Sequence, residues 1–404
     1  MQPNTKKILT ILVIVIVLVA LGFGVYFGLK KSGFITPDNN QGEFPDGGQG
    51  GDGGTGGGGT GGDGTIEDDD LTQYYQNQKE RLFPLTLSPI VDFWISSATS
   101  TASASSLLKS DVFYIDAKGD VFKVKGPGES EPFTSSSFGA PLNITQNKDG
   151  NRIVVKFSSK KFVILDVTKK VWQDVGSDVS SVSFSPDGKS IAYLKDGFGT
   201  QSLYVVDLSK TTRTATLVSQ LSAQDFNVDW IESNKILLVS KPSNGIIGEV
   251  WAVNLTSKTI SSFGKGKGYS SIFSTLHNFG LSFVSSLKSQ MEVDLIDKSG
   301  KKLADVSFST LADKCSFSLQ QKVAYCSVPY AYNTSNPPTL PDDYLKKAVY
   351  FKDRIYSINL DDSNIDVILD INNFIFDAVN LKEANNQLFF INRYEDKLYL
   401  YNLE

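Results

Sequence analysis

The chain has 404 residues, a formal net charge of −5 and 40% hydrophobic residues, with one histidine and two cysteines. A single histidine excludes metal sites built on several imidazoles. The charge is unevenly spread: residues 1–31 carry +4, residues 32–78 carry −9, and residues 79–404 are neutral, without the basic footprint of a nucleic-acid binder.

Residues 1–31 read as a membrane anchor. Residues 8–29 form an uncharged apolar run of 22, and a helix of that length rises about 33 Å against a hydrocarbon thickness of about 30 Å. The run is rich in β-branched residues, which weaken a helix in water, but in lipid only a helix satisfies its own backbone groups within the segment. A cleaved signal peptide is the alternative. Cleavage after Ala20 would place Leu18 where a small residue is needed, so retention is favoured. Lys6 and Lys7 are matched by Lys30 and Lys31 across the run, and residues 32–78 contain no Lys or Arg. The positive-inside rule therefore leans only weakly toward a cytoplasmic N-terminus with the rest of the chain outside the cell membrane.

Residues 32–78 form a Gly- and Asp-rich linker, with almost no apolar side chain to offset the entropy of ordering. Some forty such residues act as a disordered stalk, with an r.m.s. reach of roughly 35 Å. Specific ligand roles for Asp63, Glu67, Asp68, Asp69 and Asp70 are the lesser reading.

Residues 79–404 carry an internal repeat of short apolar strands separated by turn clusters such as Pro186-Asp187-Gly188. One strand type recurs seven times, with its second position at Phe122, Val163, Tyr204, Trp251, Asp294, Tyr356 and Tyr399, at spacings of 41, 41, 47, 43, 62 and 43. Each is preceded by another apolar strand, at 112–115, 153–155, 191–194, 236–239, 281–284, 323–325 and 388–391. An inner strand comes before these, clearest at Ile90-Val91-Asp92-Phe93-Trp94, and an outer one after them, as at Lys170-Val171-Trp172. Four strands per unit of this length predict an all-β fold, a seven-bladed β-propeller with four-stranded blades. An open stack of β-meanders or a sandwich is the alternative. The third strand of the seventh unit ends the sequence, so Arg81-Leu82-Phe83-Pro84-Leu85-Thr86 is expected to supply that blade's outer strand and latch the ring. Pro84 is tolerable there because an outermost strand needs few ladder donors.

The segment Ser183-Phe184-Ser185-Pro186-Asp187-Gly188-Lys189-Ser190-Ile191-Ala192-Tyr193-Leu194 resembles the repeat of TolB-type and, more broadly, WD-repeat-like propellers. There it forms the hairpin between the first two strands of a blade. Asn147-Lys148-Asp149-Gly150-Asn151-Arg152 is a degenerate copy. The order of anchor, stalk and propeller also resembles bacterial membrane-anchored propeller proteins of unassigned function. No catalytic residue is carried over from these families.

Little in the sequence points to catalysis. His277, in Ser274-Thr275-Leu276-His277-Asn278, reads as a turn residue rather than part of a Ser-His-Asp triad. A propeller peptidase would need a separate α/β domain with a nucleophile elbow, which does not fit here. Ser185-Pro186-Asp187-Gly188 departs from the sialidase box in its glycine position and lacks the following tryptophan. Asp361-Asp362-Ser363-Asn364-Ile365-Asp366 lacks the glycine of a calcium loop and reads as a solvated turn. No catalytic, cofactor-binding or metal-ligating residue is assigned, and the domain is expected not to be an enzyme. It is read instead as a protein- or ligand-binding or scaffold module of the cell envelope. The alternative is a carbohydrate-processing or other hydrolytic propeller working through loop carboxylates. Inward-facing acids with raised pKa values in the central channel would favour that alternative, and a neutral lining would favour binding.

Two local features complete the expectations. Lys314-Cys315-Ser316-Phe317 and Ala324-Tyr325-Cys326 align with the two strands of the Ser183 to Leu194 hairpin, so Cys315 and Cys326 should face each other and form a disulfide, which requires an oxidising compartment. The spacing of 62 locates an insertion between Ser327 and Tyr350, where Tyr330, Tyr332, Tyr344 and Leu345 are candidates to bind an envelope partner. Asp342 or Asp343 is expected to cap a short helix there. The competing reading has the loop fold back and pack its aromatics on its own blade.

Overall fold

The computed structural model describes residues 73, 76–96, 107–210, 212–223, 225–287, 289–331, 336–371 and 374–403. All fall in one compact unit, Phe44–Glu404; the other unit, Met1–Glu43, lies wholly outside them. The expected span at 8–29 and most of the stalk are therefore outside the described residues. No helix among the described residues is long and apolar enough to cross a membrane.

The described chain forms seven four-stranded antiparallel sheets, the blades of a seven-bladed propeller. Six blades are built from four consecutive strands. The seventh takes Ala378–Ala384, Gln387–Asn392 and Lys397–Asn402 from the end of the chain and Leu82–Pro84 from its beginning. Leu82 pairs with Tyr401, Phe83 with Leu400 and Pro84 with Tyr399. Around this latch, Arg81 Nε donates to Asn402 O at 2.7 Å, and Leu398 N donates to Thr86 Oγ1 at 3.1 Å. The proline sits on the outermost strand, where a missing donor costs little.

Apolar clusters lie between successive blades, one at each of the seven interfaces. A second strand therefore buries both of its faces. In Gln387–Asn392 every residue is buried, with Phe389 and Ile391 packed toward blade 1 and Leu388 and Phe390 toward blade 6. Such strands read as continuous apolar runs rather than alternating ones.

The long spacing is confined to blade 6. Its second strand is Val323–Ala331 and its third Lys352–Asn359, leaving residues 332–351 as the insertion.

Candidate functional site

Cys315 and Cys326 stand opposite each other in the antiparallel pair of Cys315–Phe317 with Val323–Ala331, and they form a disulfide with Cα atoms 4.1 Å apart. The insertion leaves the end of this hairpin and turns inward. The side chains of its helix, Asp342–Leu345, divide sharply. Tyr344 is 3% exposed and stacks on Phe351 with ring centroids 5.3 Å apart, whereas Leu345 is 46% exposed. Tyr344 is thus buried, its ring part of the apolar cluster between blades 5 and 6, with the guanidinium of Arg393 from blade 7 lying over it. Tyr330 lies under the Arg354 guanidinium at 4.7 Å, and Tyr332 is outside the described residues.

The capping expectation is corrected too. Pro341 occupies the cap position, and Asp342 and Asp343 lie in the first turn. Asp342 accepts from Ser243 Oγ at 2.8 Å and Asn244 N at 2.6 Å, tying the insertion to blade 4; Asp343 accepts from Thr339 N at 2.7 Å.

Beneath Tyr344 lies an ionic cluster that the sequence reading missed. Lys314 is fully buried, and its Nζ donates to Asp353 Oδ2 at 2.6 Å, Asp377 Oδ1 at 2.5 Å and Tyr344 Oη at 3.2 Å. The Tyr344 hydroxyl donates to Asp377 Oδ1 at 2.9 Å, and Arg393 NH1 donates to Asp377 Oδ2 at 3.0 Å. Arg393 also lies 3.9 Å above the Tyr344 ring. Burial alone would pull Lys314 down, but Asp353, Tyr344 and Asp377 hold its ammonium charged with a raised pKa. Burial pushes the Tyr344 phenol up. Two cations and two carboxylates, three from connections and Asp353 from the start of the Lys352–Asn359 strand, pin the insertion to blades 6 and 7.

Inner strands line the central channel, and their free edges leave backbone N–H groups that need acceptors. Side chains from neighbouring blades supply them. Asp92 accepts from Ile144 N of blade 2 at 2.7 Å and from Asn380 Nδ2 of blade 7 at 3.2 Å. Ser181 and Ser183 of blade 3 accept from Val228 N and Trp230 N of blade 4 at 3.0 and 3.1 Å. Lys382 donates to Phe93 O at 2.8 Å and Gln146 Oε1 at 3.1 Å. Burial raises the Asp92 carboxyl against the opposing pull of Lys382, and pushes Asp229 up to about 6 against Lys298. The channel wall is therefore not neutral, yet each of these acids is matched by a lysine.

Where the turns between first and second strands converge, a cavity of about 360 Å³ opens, at the lower end of the size range of small-molecule sites. Ile95, Ser96, Lys109 and Ser110 of blade 1 line it with Lys148 and Asp149 of blade 2, Leu276 of blade 5, Leu319 and Gln320 of blade 6, and Ala384 and Asn385 of blade 7. Its rim is cross-tied: Gln320 Nε2 donates to Asn385 Oδ1 at 2.8 Å, and Asn385 Nδ2 to Ser110 Oγ at 2.9 Å and Lys109 O at 3.1 Å. The turn bearing Lys148 and Asp149 ends in Gly150 at φ +64°, where a Cβ would fall 1.9 Å from Ile95 O. Only glycine lets that turn close against blade 1.

His277 adjoins this cavity through Leu276. Its N–H and that of Leu276 donate to Ser274 Oγ at 3.0 and 3.3 Å, and its Nε2 is buried without a partner among the described residues. In the Asp361 to Asp366 turn, Asp362 accepts from Asn364, and Asp361 pairs with Lys322 at 2.8 Å.

No protein-family model matches the chain, and no curated protein matches it. Solved structures do. Hydrazine synthase of Kuenenia stuttgartiensis is 12% identical, with a TM-score of 0.47, over 66% of this chain and 78% of that one. An oligogalacturonate lyase in complex with manganese is 10% identical, with a TM-score of 0.47, over 73% of this chain and 83% of that one. An acylaminoacyl peptidase in complex with a chloromethyl ketone is 16% identical, with a TM-score of 0.41, over 70% of this chain and 41% of that one. At these identities the likeness concerns fold alone. It does correct the expectation that the domain is not an enzyme: the solved structures similar to it include a lyase and a peptidase, so a propeller of this form is no ground for excluding catalysis.

Proposed function

We propose that the chain is a TolB-like propeller anchored in the cell membrane and displayed outside it, where it binds a ligand or envelope partner at the channel-mouth cavity. The observation that carries this reading is the cavity itself, a recess lined from five blades and braced by the Gln320, Asn385 and Ser110 network. A rim already held in place has little ordering to lose on binding. The Cys315–Cys326 disulfide supports the location, since such bonds persist in oxidising compartments.

The test is affinity capture from envelope extracts with the full-length chain, wild type against a Lys148→Glu, Asn385→Ala double variant. Loss of the prey with unchanged melting supports the site; the same prey at the same yield overturns it. Alkylation of both cysteines in protein taken from intact cells under denaturing, non-reducing conditions would overturn the location.

A further inference from the structure

The chain contains a single Asn-Gly pair, Asn244-Gly245, and it lies where the insertion is fastened to blade 4. The pair sits in the turn between Lys235–Ser240 and Ile247–Asn254, with Asn244 half-buried and Gly245 exposed. Asp342 accepts from Ser243 Oγ and from the Asn244 main-chain N–H. The Asn244 amide adds a second tie: its Nδ2 donates to Leu340 O of the insertion at 3.2 Å and to Ser285 Oγ of blade 5. Ser285 Oγ in turn donates to Leu340 O at 3.2 Å. One side-chain amide therefore joins blade 4, blade 5 and the insertion.

Asparagine is chemically labile, and a following glycine makes it more so, because no Cβ obstructs the approach of the glycine nitrogen to the preceding side chain. The Gly245 nitrogen attacks Asn244 Cγ: the N–Cγ bond forms, the Cγ–Nδ2 bond breaks, and Nδ2 leaves as ammonia with the proton from Gly245. Water then opens the cyclic imide at one of its two carbonyls. The net change is one water taken up and one ammonia lost, leaving aspartate or isoaspartate. In the docked chain both reacting groups are held away from this geometry. Nδ2 is fixed by Leu340 O and Ser285 Oγ, and the Gly245 N–H donates at 3.2 Å to Ser243 Oγ, itself oriented by Asp342. Lifting the insertion removes Leu340 and Asp342 together and frees both groups. The product cannot restore the tie. A carboxylate only accepts, so it opposes the Leu340 carbonyl and repels the Asp342 carboxylate beside it.

We infer that Asn244-Gly245 is a self-modification site that converts transient opening of the insertion into lasting release from blade 4. The bonds that dock the insertion are the bonds that shield the amide, so the reaction is confined to the undocked chain and then prevents redocking. The inference stands on the contacts of the insertion and not on the channel-mouth reading.

The test incubates the full-length chain in warm, mildly alkaline buffer and locates the exchange of amide for acid by peptide mass spectrometry. Hydrogen exchange reports on the helix, where the Leu345, Lys346 and Lys347 amides are bonded within the turn. Position 244 is expected to react more slowly in the native chain than in the guanidinium-unfolded chain. Asp342→Ala, which loosens the docking without touching the amide, should speed the native reaction about tenfold or more. The reacted chain should then exchange its helix amides faster than the fresh one. Gly245→Ala separates the reaction from mere loosening on storage: a Cβ there would meet only Ser243 Oγ, at 3.6 Å, an ordinary contact. This variant should dock like wild type, resist modification, and keep its slow exchange after the same incubation. Asn244→Asp should show the fast exchange without any incubation. A native rate equal to the unfolded rate overturns the inference, as does a folded Asp342→Ala chain that reacts no faster than wild type. Helix amides as protected in Asn244→Asp as in wild type also overturn it, and that comparison stands whether or not Asp342→Ala folds.

Discussion

At Lys314 the balance between burial and pairing is carried by named atoms. Its ammonium is surrounded by Asp353, Asp377 and the Tyr344 hydroxyl. Lys314→Met should leave two buried carboxylates facing Arg393 alone, a loss of about 3–5 kcal/mol. Urea denaturation checks it, and a loss under about 1 kcal/mol would mean that water already screens the cluster. Asp229 makes the opposite kind of site, a half-buried acid raised to about 6 by desolvation with Lys298 opposing. Because its folded pKa lies above the unfolded one, its contribution to stability is present below about pH 4 and is lost as pH rises through about 6. Asp229→Asn should therefore stabilise at pH 8 by about 1–2 kcal/mol, allowing for the cost of a buried amide, and change little at pH 4. Equal effects at both pH values would contradict this. Neither site was legible in the sequence. Lys314, Asp377 and Arg393 come from three separate connections and Asp353 from the start of a strand, and nothing local marks them as meeting. The Asp or Asn that closes the third strand in blades 2 to 6 was visible, and its work is local: Asp166, Asp207, Asn254, Asp297 and Asn359 accept backbone N–H groups two or three residues on and so shape the turn to the outer strand.

Among elements, the insertion shows where sequence reasoning reaches its end. Its place, its helix and its aromatic character were all readable, but the direction of its side chains depends on what lies beneath. One helical turn places Tyr344 over the ionic cluster and Leu345 in solvent. Tyr344→Ala should cost about 3–5 kcal/mol, like other buried aromatic deletions, whereas Tyr344→Phe removes only the hydroxyl and should cost about 1–3 kcal/mol. Leu345→Ala should stay within about 0.5 kcal/mol. Thermal melting of the three variants checks the order; a Leu345 effect equal to that of Tyr344→Ala would mean the helix packs differently. The hairpin of Cys315 and Cys326 was legible for the opposite reason. Register within a two-strand turn is a local property, so the Ser183 to Leu194 repeat could place both sulfurs.

For the whole ring, the repeat made blade number and order readable, because each blade supplies the same two-sided apolar strands. Closure is the step that no single repeat encodes. Leu82–Pro84 binds the free edge of Lys397–Asn402, joining the two ends of the described domain across more than 300 residues of chain. Leu85, fully buried, packs with Leu398 and Leu400 at the interface of blades 7 and 1. Removing residues 71–88 should uncover that cluster and leave an unpaired strand edge, a template for association with other chains. Loss of Leu85 alone is worth about 2–5 kcal/mol. Since each kcal/mol moves the midpoint of a large domain by about 2 °C, the truncated chain should melt at least several degrees lower and aggregate as it does so. Calorimetry and light scattering on the truncated and complete chains decide it. If both melt at the same temperature without aggregation, the ring holds without the latch, and the seven interfaces rather than strand exchange between the ends account for its closure.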